Sequence, residues 1–575
     1  NNKINLCYSD HDYYLSNGIH VNPNFKPNYS YNYLLSKNYI DNFFLVNKKS
    51  YKFELIDFSY NQWEYKLLLD IVGILKDEEI LHIPNVLWYK HYLDNNISYY
   101  LENIKIIEEH LKNKNYTFDD IKSDGGFTYI KWGYAKNKKV SIIIPTTGNI
   151  VLLKPLVNSI LEKTKYDNFE MIFLDNGRGK HPDGIEFLKE KNLKVIEVNE
   201  SFNWSRLNNI GVENSDGDLL LFLNDDMEVI DELWLEELVR QSVRSTSGAV
   251  GGLLLYPDRR IQHAGVFLVD HGGGARHWLH FANQDKDIYQ NLHKAVREVS
   301  ANTGACLMMR RDVYFEVGGF DENLPIVGND IDMCLRILEK GYKNIWTPNC
   351  SLIHHESISR KKITFAEDEK EMWKRWGHLY LKGDDFYNPN LSLNNSKCEL
   401  AEYQQIEIDN EKVDNNFEGV NLIGYIKAQM GVGEGARGVA RALYTGNIPF
   451  CIINYEKGNP SSMGDNTWNK IIVDEPKYDI NILHINADLT PSVVKDLPKE
   501  YFQNKYTIGF WAWELPDFPD EWKSSFSYVD EVWVPSNFVK ESVEKKSSVP
   551  VYVMPHPIEK IKTPYLHRKY FLYPK

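Results

Sequence analysis

Leu219–Val229 reads Leu-Leu-Leu-Phe-Leu-Asn-Asp-Asp-Met-Glu-Val. Five consecutive apolar residues offer water no polar face, which predicts a strand buried on both sides of a sheet. The run stops abruptly at Asn224-Asp225-Asp226. In open α/β sheets, ligands bind at the exposed ends of buried strands. Adjacent carboxylates repel each other, and a divalent cation relieves that repulsion. The same three residues also suit a helix N-cap or a solvated turn, so their role depends on what the chain places around them.

Around this stretch, residues 140–385 alternate strands and helices. Val140–Pro145, Glu170–Leu174 and Val195–Val198 read as strands and Leu152–Lys163 as an amphipathic helix. The alternation predicts an α/β fold with a parallel-type sheet. Lys136–Lys139 is a polar linker before it. Residues 1–135 carry a strand into Tyr8-Ser9-Asp10-His11-Asp12 and helices around 61–76 and 98–113. Residues 391–418 are polar and acidic without a period, as expected of a linker. A second α/β pattern starts at Gly419, with strands at 420–426, 449–454, 480–485, 506–510, 531–534 and 550–554. Between its first two strands lie a glycine loop and a helix over 435–445.

A length of 575 residues implies several domains. The formal net charge of −14, without a basic cluster, argues against a nucleic-acid partner. No apolar run approaches the roughly 18 residues of a membrane span. The six cysteines are scattered without paired spacing, which points to a reduced, cytosolic compartment and away from zinc. The chain opens at Asn1 without a signal peptide and closes on a linker-like Tyr570–Lys575. A fragment of a longer polypeptide is the expectation.

The order of motifs is the informative part. Strands end in Pro145-Thr146-Thr147 and in Asp175-Asn176. Then come Phe202-Asn203-Trp204-Ser205-Arg206-Leu207-Asn208-Asn209, Asn224-Asp225-Asp226, Gly318-Gly319-Phe320-Asp321, Asn329-Asp330-Ile331-Asp332 and His354-His355-Glu356-Ser357. Taken singly, each has a structural reading: Asp175-Asn176 suits a turn, Asn329-Asp330 a helix cap, Gly318-Gly319 a tight turn. As a series over roughly 140–385 they resemble the family-2 glycosyltransferases of the GT-A fold, inverting enzymes that use nucleotide-diphospho sugars. Gly248–Gly252, Ile261-Gln262-His263-Ala264-Gly265 and His354–Arg360 resemble the bacterial O-antigen and rhamnan-type members.

The resemblance implies roles. Asp175 would accept the imide N–H of uracil or thymine, and Pro145 and Thr146 would line the same nucleotide pocket, with Asn203, Arg206 and Asp225 also on the nucleotide. Asp226 would hold Mn²⁺ or Mg²⁺, completed by His354 or His355; imidazole suits Mn²⁺ better. Here Asn224 replaces the first acid of the family's DxD motif. Asp330 would be the general base, and Asp332 would support the catalytic site or bind acceptor. His263 and His277 receive no role.

The first region repeats parts of this series. Tyr8–Asp12 resembles Leu223–Asp226 and supplies a DxD pair. Glu64–Leu69 resembles Asp330–Leu335, and Ile83-Pro84-Asn85 resembles Thr347-Pro348-Asn349. Glu64 then replaces Asp330, Lys66 replaces Asp332, and Tyr89 falls near His354. Residues 1–135 are therefore expected to be the C-terminal half of a GT-A domain that transfers no sugar. In the C-terminal region, Met430–Arg437 forms a glycine loop suited to an anion. Together with Gly509–Pro516, Val532–Ser536 and Met554–Pro557 it resembles the N-terminal, Rossmann-like half of a family-4-like GT-B transferase. The expected architecture is a partial GT-A domain (1–135), a complete one (138–388), a linker (389–418) and the GT-B half (419–575). The expected substrates are a UDP- or dTDP-linked sugar and a glycan or lipid-linked glycan, at the inner face of the cytoplasmic membrane. The rival reading is a non-catalytic glycan-binding scaffold.

Overall fold

Strand Leu219–Leu223 is buried at every position, as its sequence requires, and lies inside a ten-stranded sheet. The computed structural model describes residues 4–14, 20–51, 58–91, 99–134, 137–355, 366–401, 419–446 and 448–557. They fall into two units, one ending near residue 402 and one spanning the residues up to about 561.

The sheet of the first unit runs, in spatial order, 227–229, 343–354, 247–255, 306–310, 219–223, 140–146, 169–175 and 194–197, with two short strands attached. The strands from 140 to 223 pair in parallel, as expected. Cys306–Arg310 does not: it is antiparallel to both Leu219–Leu223 and Ser247–Leu255. Between 255 and 306 the chain makes only short strands and a 3-10 turn. Without a crossover helix a strand returns antiparallel, so the sheet is mixed. Helix Ile150–Lys163 is capped by Asn149, which accepts from the Val151 N–H at 3.1 Å.

The first region, expected as a separate half-domain, shares a core with the central one. Leu6, Tyr8, Leu68 and Ile107 belong to one apolar cluster with Leu253, Phe267, Trp278 and Trp346. Polar contacts follow the same seam. Asn32 donates its N–H to Glu298 at 3.0 Å, and Arg244 donates to Asn32 Oδ1 at 2.7 Å. Residues 389–401, expected within the linker, and Asn388 just before them pack here too. Leu391 and Cys398 join that core, and Asn388 donates to Asp10 at 2.9 Å. The remainder of that linker, 402–418, lies outside the described residues.

Pairing also revises the internal repeat. Strand Leu6–Tyr14 runs parallel to Ile80–His91, with a break in register between Ser9 and Asp10 opposite Pro84-Asn85. In the central region the strand parallel to the Pro348-Asn349 strand is Ser247–Leu255, and it breaks at the matching place, between Gly252 and Leu253. Asp10 and Asp12 therefore correspond to residues near 253–255 and not to Asn224–Asp226. Asp10 is fully buried and accepts from Lys26 N–H, His82 and Asn388 at 2.8–2.9 Å. Its carboxylate serves the fold. Lys66 is likewise buried and paired with Asp70 at 2.8 Å.

The second unit has six parallel strands in spatial order 450–454, 420–424, 480–484, 506–510, 531–534 and 551–553. Strand order reverses beside Val420–Gly424, as in Rossmann-like sheets. Its first helix begins at Gly431, four residues earlier than the sequence suggested. The glycines thus form its first turn, because a Cβ on Gly433 would collide with the Ala428 carbonyl and one on Gly435 would lie 2.7 Å from the His484 ring. His484 is 3% exposed, and among the described residues neither ring nitrogen has a hydrogen-bond partner. Burial, then His556, pushes its pKa down to about 4. The unfolded chain, with His near 6.5, takes up that proton first, so stability falls as pH drops from 6.5 towards 4. Chemical denaturation at pH 7 and pH 4.5 should show a loss that His484→Gln reduces by about 2–3 kcal/mol.

Candidate active site

Thr146 and Asp175 end two neighbouring parallel strands in register. Pro145 is buried one residue earlier, beyond Ile143, the last residue of its strand that pairs with Leu219–Leu223; there a missing N–H costs nothing. Thr146 Oγ1 donates to Asp225 Oδ2 at 2.6 Å. Loss of water pushes the Asp225 carboxyl up to about 6; the Thr146 hydrogen bond opposes the rise and the charge of Asp226 adds to it. Asp175 is buried, and its Oδ1 accepts the Gly177 N–H at 2.8 Å. Asp175 thus forms the turn that the sequence suggested, at the same end of the sheet as Thr146.

Asp226 Oδ1 lies 3.0 Å from His354 Nε2. Strand Met227–Val229 is antiparallel to the end of Lys343–His354, with Met227 opposite His354, and this brings the two residues together. His354 Nδ1 donates to Gln262 Oε1 at 2.6 Å. His355 does not join them. Its N–H donates to the Asp226 carbonyl at 2.9 Å, but its ring meets Glu228 Oε2 at 3.0 Å. Consecutive residues of an extended chain point to opposite faces, so only one of the two histidines can share a site with Asp226. Glu356–Arg360, the rest of that motif, lies outside the described residues.

Among the described residues, no three His, Cys, Asp or Glu side chains gather as a ligand cluster. Asp226 and His354 offer one oxygen and one nitrogen. That pair fits an Mn²⁺ or Mg²⁺ ion whose remaining ligands are diphosphate oxygens and water.

Asp330 stands in the first turn of helix Asn329–Glu339, which follows Gly328 at φ 75°. Its Oδ1 accepts the Ile331 N–H at 2.9 Å, so it does serve the helix end, and its Oδ2 accepts the Gly304 N–H at 2.8 Å. The next carbonyl, of Ala305, accepts the Asn224 N–H at 3.1 Å. Gly304-Ala305 thus links Asp330 to the acidic strand end. A Cβ on Gly304 would lie 2.8 Å from the Trp204 ring.

Asp332, expected to act beside Asp330, is fully buried and turned away. One oxygen pairs with Arg336 at 2.8 Å, and the other accepts from Trp376 Nε1 at 2.9 Å. Two residues on a helix differ by about 200°, so both acids cannot face one site. Asp332 instead anchors helix Ala366–Lys382, and the expectation that it binds acceptor is withdrawn. Asn203 caps helix Trp204–Glu213 through the Arg206 N–H at 3.0 Å. Arg206 pairs with Glu200 at 3.2 Å and Glu322 at 3.4 Å. Both frame the 320–325 loop.

Sequence reasoning missed Gln262, Gly304 and Glu228. Gln262 sat in a noted motif, but nothing in the sequence pairs it with a residue 92 positions on.

Residues 141–318 match the Glycosyl transferase family 2 profile, and 250–402 match that of Glycosyl transferase family group 2. The uncharacterized protein y4gI of Sinorhizobium fredii is 33% identical over 423 residues, 69% of this chain and 46% of that protein. The O-antigen biosynthesis protein RfbC of Myxococcus xanthus is 32% identical over 310 residues, 52% of this chain and 24% of that one. The chain thus spans less than half the length of either relative. The mannosyltransferase PcManGT from Pyrobaculum calidifontis, solved with GDP-Man and Mn²⁺, aligns at 16% identity with a TM-score of 0.30, over 39% of this chain and 58% of that one.

These matches define the likeness: residues 141–318 are similar to Glycosyl transferase family 2 domains and 250–402 to those of Glycosyl transferase family group 2. The two helix acids separate structure from chemistry. Asp332→Asn should cost about 3 kcal/mol, because it breaks a buried ion pair. Asp330→Asn should cost no more than about 1 kcal/mol. Thermal or urea unfolding of the two variants measures the difference.

Proposed function

We propose that the central domain is an inverting, metal-dependent transferase that moves a sugar from a UDP- or dTDP-linked donor to a growing bacterial surface glycan. One observation carries this reading. Thr146, Asp225-Asp226, His354 and Asp330 come from four separate segments, yet hydrogen bonds, the Asp226–His354 contact and the Gly304-Ala305 peptide join them at one end of the sheet. A scaffold has no need of that convergence.

In this reading Asp175 accepts the imide N–H of the base, beside Thr146 and Pro145. Asp226 and His354 would hold a divalent ion, which when bound would supply positive charge to the diphosphate leaving group. The Asp330 carboxylate, aimed by two backbone N–H groups, takes the proton of the acceptor hydroxyl. The acceptor oxygen then attacks the anomeric carbon. The bond to the diphosphate breaks with its electron pair leaving on the phosphate oxygen, and one displacement inverts the carbon.

The RfbC relative, named for O-antigen biosynthesis, supports a polysaccharide or lipid-linked acceptor. Such an acceptor would bring the enzyme to the inner face of the cytoplasmic membrane as a peripheral protein. No helix among the described residues is long and apolar enough to cross a membrane. The first region, without a counterpart of the Asn224–Asp226 stretch among its described residues, transfers no sugar. Residues 419–557 act as the acceptor-side half of a GT-B transferase and are inactive alone.

Nucleotide release measured across UDP-, dTDP- and GDP-sugars with Mn²⁺ tests the reading. Turnover should appear with one donor class, vanish with EDTA, and fall about 10²–10⁴-fold in Asp330→Asn. Turnover that persists in Asp330→Asn would overturn the assignment of the base.

A further inference from the structure

We infer that Gln262 is a positioning residue for His354, fixing which of its ring nitrogens faces Asp226. The inference rests on the metal reading of Asp226 and His354. A glutamine carbonyl oxygen only accepts hydrogen bonds. The 2.6 Å contact to Gln262 Oε1 therefore requires a proton on His354 Nδ1. Nε2 then faces Asp226 Oδ1, 3.0 Å away. A metal-binding histidine needs this arrangement, one nitrogen held by an acceptor and the other turned to the ion.

The backbone delivers Gln262 by a specific device. Strand Ile261–His263 runs antiparallel to Ser247–Leu255, with His263 opposite Leu254 and Ile261 opposite Leu255. Two adjacent residues thus face two that are separated by Gln262, which is the extra residue of a β-bulge. Bulges re-aim a side chain and recur beside active sites. On the other side of Ser247–Leu255, Leu255 pairs with Ile353, directly before His354. The bulge therefore lies one strand away from the histidine it serves. Gln262 is buried, and His263, next in sequence, turns to His277 at 2.9 Å.

Mn²⁺ titration of the full chain, alone and with UDP, followed by the electron paramagnetic resonance of the free ion, tests this. His354→Ala and Gln262→Leu should each weaken binding about 10–100-fold. Adding Gln262→Leu to His354→Ala should weaken it no further, and Gln262→Glu, which keeps the acceptor oxygen, should restore it to within a few-fold. Gln262→Asn, which keeps the amide but shortens its reach, replaces the leucine variant if that variant does not fold. Two results would overturn the positioning role and leave the metal reading standing. One is weak binding in His354→Ala with wild-type binding in Gln262→Leu; the other is an equal Gln262→Leu loss with and without His354. Wild-type binding in His354→Ala, or no Mn²⁺ binding by the native chain, would overturn the metal reading and this inference with it.

Discussion

The antiparallel pairing of Cys306–Arg310 with Leu219–Leu223 sets the geometry of the proposed reaction centre. Leu223 faces Cys306, so the residues just past each end, Asn224 and Ala305, meet through a main-chain hydrogen bond. The acidic motif follows on one side and Gly304, the donor to Asp330, precedes on the other. A sheet hydrogen bond is short and stiff compared with a side-chain contact. The spacing between the residues assigned to the leaving group and to the base is thereby fixed by backbone, and catalysis by orientation needs such precision. A glycine is required at 304 because Trp204 and Asp330 close over it.

The second fixed distance, between Asp226 and His354, also comes from strand pairing, at the sheet's outer edge. Burying Asp225, and secondarily setting it beside Asp226, costs free energy, visible in the carboxyl of Asp225 rising to about 6. Thr146 offsets part of that cost with one hydrogen bond. The cation proposed at this site would relieve the remaining repulsion between the two carboxylates.

Much of this was legible in the sequence, and the failures have definite physical causes. Buried parallel strands announce themselves by unbroken apolar runs, which is why Val140–Thr146 and Leu219–Leu223 were read correctly. Their ends carried Thr146, Asp175, Asp225 and Asp226 with them. Cys306–Arg310 is apolar too, but its direction depends on the connection before it, which apolar pattern does not encode. The error over Asp332 and the open choice between His354 and His355 are of another kind. Helical and extended periodicity each forbid one member of the pair from sharing the site, so the constraint was present in the sequence and a motif read as a block concealed it. Gln262 was illegible because a bulge shifts the side-chain alternation that sequence reasoning assumes.

The first region shows how similar letters mislead when pairing is unknown. Its spaced acids suggested a metal motif, yet the strand that carries them occupies the place of Ser247–Leu255. Asp10 there accepts from three donors within 2.9 Å while wholly buried. A carboxylate so engaged has little left to offer an ion, and removing it would strand those donors in the core. Glu298 of the central region shows the reciprocal dependence, since Ser30 and Asn32 of the first region bind its carboxylate out of water. Each region satisfies buried charge in the other and contributes apolar side chains to one cluster. Such coupling makes the fold of each region depend on its neighbour, whatever chemistry either carries.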